Sequence, residues 1–296
     1  MTKLSVLPFQ QIILGTTKRI EKGKDLTELK TKYQGTYNLK DITDSEVYTI
    51  SNIESEIKVC ESCVGECKKK INKYVVPQIQ SCSGVLQISF APCRAGLQRL
   101  VRAQSRRAQV PPKYVGKTFA DYKITADNAK AVKGAKWLIQ RLQHARDTPQ
   151  DVPTGLYLFG ATGAGKTLLA ALIATEYIRL FKSVIFGDVP SLLADLKATF
   201  DKGGTDELLQ RYCDCDLLVL DDLGAGKITD WNVTVLYQII NARYNNERTT
   251  IVTSNYDLGG LEKILSRQDS ITGKRIVSRL SEMTVPVCLG TSDRRR

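Results

Sequence analysis

The stretch LYLFGATGAGKTLLAALIATEY, residues 156–177, decides the fold of this chain. Its first four residues are apolar, which is typical of a short buried β-strand. Residues 160–167 fit the pattern G-x-x-x-x-G-K-[ST], and residues 168–177 favour a helix. This order predicts a phosphate-binding loop, because the curled backbone directs its N–H groups to phosphates at a helix N-terminus. The alternative is a glycine-rich turn that only connects a strand to a helix.

The residues of this loop have separate expected roles. Lys166 is expected to reach the terminal phosphates of a nucleotide, and the Thr167 hydroxyl is expected to ligate magnesium. ATP and Mg²⁺ are therefore the expected cofactors. The remaining phosphate contacts are expected from the loop itself, at Gly160, Thr162, Gly163, Ala164 and Gly165.

A second acidic element follows the apolar run at residues 217–220. Asp221 and Asp222 come directly after this run, where a carboxylate is needed to support the magnesium and a base is needed for the attacking water. We expect Asp221 to support the metal and Asp222 to orient or deprotonate the water. Paired aspartates after a strand can also simply cap the next helix.

A third apolar run, residues 250–253, leads to Asn255, whose amide could contact the γ-phosphate or the attacking water. The alternative is ordinary turn chemistry. With residues 183–187, these apolar runs alternate with helical segments, which is how a parallel sheet with helical crossovers is encoded. Polar strand ends meet at the carboxyl edge of such a sheet. The sequence therefore predicts an α/β fold with a parallel sheet and flanking helices.

Composition excludes several classes of protein. The chain has 296 residues, 43 Lys and Arg against 31 Asp and Glu, and a net charge of +12, which suits a polyanionic partner. His144 is the single histidine, so a histidine-centred triad or a histidine-rich metal site would have to be built around it. No targeting signal or membrane span is visible, and a cytoplasmic location is the expectation.

Five of the eight cysteines lie between residues 60 and 93 and indicate a small separate module. Thiolates at this spacing, without a disulfide-permissive signal, favour zinc over disulfides. The alternative is a set of small buried thiols. A hairpin of residues 75–80 and 85–90 would carry Cys82 at its tip, far from Cys93 at its base. Cys67 is therefore preferred to Cys82, and the expected zinc ligands are Cys60, Cys63, Cys67 and Cys93.

These features divide the chain into three parts. Residues 1–93 form an N-terminal domain with the zinc module at about 56–93, and residues 1–55 indicate a helix and a strand. Residues 94–116 form a basic connector, and residues 117–296 form the nucleotide-binding domain.

The motifs resemble the AAA+ ATPases of the DnaC/DnaI helicase-loader family. The resemblance covers residues 60–296 and rests on the Walker motifs, the segment TSNY at 253–256, the segment GKRIVSRL at 273–280 and the cysteine module. It implies that Arg279 is an arginine finger donated to a neighbouring subunit, with Arg275 beside it. A solvated basic helix face is the alternative. Arg294 is similar to the family's sensor arginine near the chain end.

The resemblance also implies partners and DNA contacts. The expected partners are a replicative helicase bound by the N-terminal domain, single-stranded DNA, and further copies of this chain that complete the ATP sites. Phe119 and Tyr122 lie where the family begins its ATPase domain, and pack either near adenine or in the core. The residues that match pore-facing segments are Lys197, Phe200, Thr229 and Trp231. Core burial is an equal reading for Phe200 and Trp231.

Two other functions fit parts of the sequence. A transposition helper ATPase resembling IstB shares the nucleotide-binding core but usually lacks the cysteine module. A zinc-finger DNA binder without ATP hydrolysis would explain the charge and the cysteines. Steady ATP turnover that is lost with Lys166→Ala would exclude the second.

Overall fold

The computed structural model describes residues 25–61, 63, 67–69, 73–143, 155–199, 205–267 and 269–290. The chain divides into two units, residues 1–100 and 101–296. The boundary lies inside helix α3, Arg94–Arg107, which falls in the segment expected to be a connector. The assignment of functions to residues 1–93, 94–116 and 117–296 stays a prediction.

The first unit contains two helices, α1 (Leu26–Tyr37) and α2 (Asp44–Glu61). Both bury residues at helical spacing, with Leu29 and Tyr33 four residues apart on α1. These side chains pack with residues of α2 in one apolar cluster. The expectation of a strand within residues 1–55 was wrong for the described part, because the apolar residues of α2 recur at helical rather than alternating spacing.

A two-stranded antiparallel hairpin follows, formed by β1 (Val75–Cys82) and β2 (Val85–Pro92). Each strand extends two residues beyond its predicted range at its C-terminal end. The turn uses Ser83 and Gly84, both with positive φ, which is the backbone of a tight two-residue hairpin turn. Cys82 pairs with Val85 beside this turn, so it lies at the tip as predicted.

The second unit is built on a five-stranded parallel sheet with the strand order β4-β5-β6-β3-β7. The four predicted strands are confirmed to within one residue at each end, and a fifth strand lies at the edge beside β3. Their continuous apolar runs are buried, as expected for strands covered on both faces. The strands are β3 (Gly155–Phe159), β4 (Val184–Asp188), β5 (Leu217–Asp221), β6 (Thr249–Ser254) and β7 (Thr284–Cys288).

Helices connect these strands and flank the sheet, which confirms the predicted α/β fold class. The helix predicted at 168–177 spans Lys166–Arg179. None of the helices in the described ranges has the length and apolar character to cross a membrane. The helices are α4 (Ala129–Gln143), α5 (Lys166–Arg179), α6 (Val189–Thr199), α7 (Thr205–Asp214), α8 (Asp230–Asn245), α9 (Leu258–Leu265) and α10 (Ser270–Met283).

A buried arginine on α8 joins three parts of this unit. Arg243 has no solvent-exposed surface, and its Nη1 donates to the carbonyl oxygens of Tyr212, Cys213 and Cys215 at 2.9–3.1 Å. Its Nε donates to the hydroxyl of Thr250 on β6 at 2.9 Å. The guanidinium satisfies carbonyl groups at the end of α7 that would otherwise be buried without a donor. Arg243 therefore fixes the entry into β5, the strand that ends in the predicted acidic pair.

Candidate nucleotide site

The loop between β3 and α5 takes a conformation that needs glycine at two points. Gly160 has φ 142°, and a Cβ there would lie 2.7 Å from the carbonyl oxygen of Gly290. Gly165 has φ 94° and directly precedes α5, so the free N–H groups of the helix N-terminus open onto the loop. The Ala161 N–H donates to the carbonyl oxygen of Gly290 at 3.0 Å. The loop after β7 thereby supports the shape expected of a phosphate-binding loop.

Lys166 connects this loop to the end of β6. Its side chain is 5% exposed, and its Nζ donates to the carbonyl oxygens of Gly160 and Ala161 at 2.9 Å. The same Nζ donates to Oδ1 of Asn255 at 2.8 Å. β3 pairs directly with β6, so two residues 89 positions apart in the chain meet at one sheet edge. The expected grouping of Lys166 and Asn255 is therefore present.

The acidic pair lies at the neighbouring strand end. Asp221 is 7% exposed and accepts a hydrogen bond from the Thr253 hydroxyl at 2.6 Å. Burial raises the pKa of Asp221 to about 6, while hydrogen bonds from the hydroxyls of Thr253 and Thr167 oppose this rise and the charge of Asp222 adds to it. A buried carboxylate with a raised pKa gains from a cation beside it. Thr167 and Asp221, the two predicted magnesium ligands, therefore lie together.

Asp222 follows Asp221 in the left-handed backbone region, with φ 56°. Its N–H donates to the Thr253 hydroxyl at 2.9 Å, and the next N–H, of Leu223, donates to the Thr253 carbonyl oxygen at 2.8 Å. β5 therefore turns sharply after Asp221. The Asp222 side chain is half-buried and lines the cavity beside the phosphate-binding loop.

Residues 162–167 line one cavity with Asp221, Asp222 and Asn255; its volume of about 590 Å³ is large enough for a nucleotide. Its other wall comes from residues 111–123, where Tyr122 is buried and its hydroxyl donates to the carbonyl oxygen of Gly165 at 3.5 Å. Phe119 is half-buried and does not appear among the described residues of the lining. The sequence did not identify Pro111, Lys113 or Tyr114, which also line the cavity. Only the basic Lys113 and the aromatic Tyr114, close upstream of Tyr122, could have indicated this wall of the cavity.

Comparisons with known proteins agree with this geometry. Residues 94–295 match the model of the IstB-like ATP binding protein family. The chain belongs to this family. It is 26% identical over 178 residues to the replicative helicase loader DnaC of Buchnera aphidicola subsp. Schizaphis graminum, covering 59% of this chain and 67% of that protein.

Solved structures show the same fold for this IstB-like chain. A crystal structure of DnaI has a TM-score of 0.53 at 28% identity and covers 60% of this chain and 93% of that one. A crystal structure of the DnaC helicase loader has a TM-score of 0.50 at 27% identity and covers 60% and 98%. The predicted AAA+ P-loop fold and the likeness to the DnaC/DnaI loaders are confirmed. The protein is a P-loop ATPase.

The two arginines of α10 do not line the cavity in the described part of the IstB-like domain. Arg275 is exposed. The side chain of Arg279 packs against α8, where its Nε donates to Oδ1 of Asn241 at 2.5 Å and its guanidinium carbon lies 5.4 and 5.5 Å from the ring centres of Tyr237 and Tyr244. Both arginines therefore lie apart from the nucleotide cavity of their own chain.

The residues predicted to bind DNA do not all lie in the described ranges. Lys197 is exposed on α6, while Phe200 and the sensor candidate Arg294 lie outside the described residues. Thr229 caps α8, because its hydroxyl accepts a hydrogen bond from the Asn232 N–H. Trp231 is half-buried against the main apolar cluster. Thr229 thus serves as a helix cap and Trp231 as a packing residue, and DNA contact by either residue stays a prediction.

The four cysteines predicted to bind zinc lie in the first unit. The N–H of Tyr74 donates to Sγ of Cys67, and the N–H of Gly96 donates to Sγ of Cys93, both at 3.3 Å. The Cys93 N–H donates to the Tyr74 carbonyl oxygen at 2.9 Å, so the partners of both thiols meet at the base of the hairpin. Cys82 lies at the other end of strands that are about 25 Å long.

The other three predicted zinc ligands influence the pKa of the Cys60 thiol. Burial raises the pKa of Cys60, the positive charge of Lys69 opposes this, and Cys67, Cys93 and Cys63 add to the rise. Within the described ranges, however, no three or more Cys, His, Asp or Glu side chains are arranged to hold a metal ion. Zinc binding is thus not supported by the arrangement of the side chains and stays a prediction.

Proposed function

We propose that this protein is an ATP-dependent loader of a replicative helicase that binds single-stranded DNA and delivers the helicase to it. One observation carries this proposal: Lys166 and Asn255, 89 positions apart in the chain, meet in a cavity beside the Thr167 and Asp221 pair. The likeness to proteins named helicase loaders supports the choice of partner.

The roles proposed for the site follow from its chemistry. The N–H groups of Gly160, Thr162, Gly163, Ala164 and Gly165 and the Lys166 ammonium would bind the phosphates of ATP. Thr167 and Asp221 would hold Mg²⁺, which supplies positive charge to the phosphates. Asp222 and Asn255 would orient the attacking water, since both lie at the open edge of the sheet.

Arg279 is proposed to act on the ATP site of a neighbouring copy in a homo-oligomer. Its separation from the cavity of its own chain supports this. An arginine donated in trans stabilises the charge that develops on the transferred phosphoryl group and contributes about a thousandfold or more in rate. Arg275, one helical turn earlier and exposed, would bind the same phosphates.

The first unit is proposed to bind the helicase and a zinc ion. Cys60, Cys63, Cys67 and Cys93 fit zinc by their sulfur chemistry, and backbone N–H groups donate to the sulfurs of Cys67 and Cys93. Zinc would tie the end of α2 to the base of the hairpin. A cytoplasmic location is part of the same proposal.

The experiment is steady-state ATP hydrolysis by the full chain with and without single-stranded DNA, followed by co-elution with the purified replicative helicase of its host. The proposal expects hydrolysis that single-stranded DNA stimulates, that Lys166→Ala abolishes, and a stable complex with the helicase. Absence of DNA stimulation and of the complex would contradict it.

The match to the IstB-like family model favours one second candidate, a transposition helper ATPase that coats DNA for a transposase. Co-elution with a transposase, and not with the helicase, would select this second function.

A further inference from the structure

Helix α4 exposes a tryptophan that neither the core nor the nucleotide site uses. Trp137 is 38% exposed, although the same helix buries Ala131, Ala135 and Leu138 against the domain. The Arg141 guanidinium carbon lies over the indole ring, 5.6 Å from its centre. Trp137 therefore offers part of a large aromatic surface to a binding partner.

The charged residues of α4 itself are all basic. α4 contains no aspartate or glutamate in its 15 residues, and Lys130, Lys133 and Lys136 are exposed on it. Within the described part of the chain, none of these lysines pairs with a carboxylate. Such a surface repels a second copy of itself and attracts a polyanion.

The spacing along the helix places the cations on both sides of the ring. Lys133 precedes Trp137 by one turn, Arg141 follows it by one turn, and Lys130 lies two turns before it on the same face. From Lys130 to Arg141 the face is about 16 Å long at 1.5 Å per residue. An aromatic face between cations is the arrangement by which proteins hold an unpaired nucleic-acid strand, with a base on the ring and phosphates on the cations.

We infer that the outer face of α4, centred on Trp137 with Lys130, Lys133 and Arg141, is a binding site for single-stranded nucleic acid. A base stacks on the indole, and the flanking phosphates lie against the cations. A paired duplex keeps its base faces covered and cannot use the ring. This inference rests on the proposed binding of single-stranded DNA and adds a surface that lies outside the pore-facing residues proposed above.

The experiment uses the fact that the chain has two tryptophans, Trp137 and Trp231. In the full-length Trp231→Phe variant all tryptophan emission comes from Trp137, and oligothymidylate is titrated into it at low salt. We expect saturable quenching with oligothymidylate and none with a blunt duplex of equal length. Quenching by the duplex to the same extent, or no quenching at saturating oligothymidylate, overturns the inference.

Binding of a labelled oligothymidylate, followed by anisotropy, gives a second readout. Trp137→Ala should weaken binding about tenfold, within the range that loss of one stacked base produces. Lys133→Glu should weaken binding and should reduce the slope of log affinity against log salt concentration by about 1 or more. The matched control is Phe181→Ala, which removes an aromatic side chain that is 51% exposed just after α5 and should leave the affinity unchanged.

The outcomes separate this inference from the proposed function. If Trp137→Ala binds as the wild type does while Trp231→Ala does not, the α4 site is wrong and the pore-facing residues carry the DNA. If the wild type binds no oligothymidylate at all, both the α4 site and the proposed DNA function are wrong. Circular dichroism of Trp137→Ala checks that lost binding does not reflect unfolding.

Discussion

Replacing Asp221 by asparagine should stabilise the protein while it removes a magnesium ligand. Burial raises the pKa of Asp221 from 3.8 to about 6, so the ionised carboxylate is disfavoured in the folded state. A shift of about 2 units corresponds to about 3 kcal/mol at a pH where the group is ionised in both states. Asparagine keeps an oxygen acceptor for the Thr253 hydroxyl and carries no charge.

The pH dependence of this stabilisation follows from the same shift in the pKa of Asp221. An acid whose pKa is raised on folding contributes stability below its unfolded pKa, and this contribution is lost as the pH rises through the folded value. The advantage of Asp221→Asn should therefore be small near pH 4 and reach about 1–3 kcal/mol above about pH 7. Each kcal/mol raises the midpoint of thermal unfolding by about 2–4 °C in a domain of this size.

The assay is thermal unfolding of the wild type and the variant at several pH values, with and without Mg²⁺ and ATP. Asp222→Asn is the matched control, because its side chain is half-buried and asparagine tolerates the same left-handed backbone. It should stabilise less, and Mg²⁺ with ATP should stabilise the wild type more than Asp221→Asn. A lower midpoint for Asp221→Asn at neutral pH, or a difference that does not vary with pH, would refute the reasoning.

Three further predictions concern separate parts of the molecule. Zinc content measured by mass spectrometry should fall in Cys67→Ser and stay constant in Cys82→Ser, whereas the opposite pattern would make Cys82 the ligand. Arg243→Leu should lower the free energy of unfolding by about 3 kcal/mol or more, because three buried carbonyl groups lose their donor, while Arg248→Leu at the surface should change it by less than about 1 kcal/mol. Equal losses in chemical denaturation would contradict this role of Arg243. Asn255→Ala should lower the kcat for ATP about tenfold to a hundredfold with little change in nucleotide affinity, and an unchanged kcat would exclude Asn255 from the reaction.

The sequence predicts those residues of the site that come after the ends of the predicted strands. Lys166, Asp221 and Asn255 each follow an apolar run, and in a parallel sheet these runs end at one edge. Their meeting therefore follows from the order of motifs and from the sheet topology. The contact between Thr167 and Asp221 follows in the same way.

The unpredicted features depend on packing between distant segments. Pro111, Lys113 and Tyr114 join the cavity only because the chain before α4 returns to the phosphate-binding loop. The side chain of Arg279 contacts α8 because α10 packs against that helix. Nothing in the spacing of residues 273–280 indicates that Tyr237 or Asn241 contacts Arg279. In residues 25–61 the buried positions of α2 recur at helical spacing, but the polar and charged residues among them make this periodicity weak in the sequence.

We propose that each ATP site is completed by Arg279 of another copy of the chain. The most direct measurement is the ATP turnover of Lys166→Ala and Arg279→Ala, each alone and then mixed in equal amounts in the presence of single-stranded DNA. Each variant should be inactive alone, and random mixing should restore about a quarter of the wild-type turnover, since one pairing in four combines an intact Lys166 with an intact Arg279. An inactive mixture of variants that still assemble, or full activity of Arg279→Ala alone, would contradict the claim.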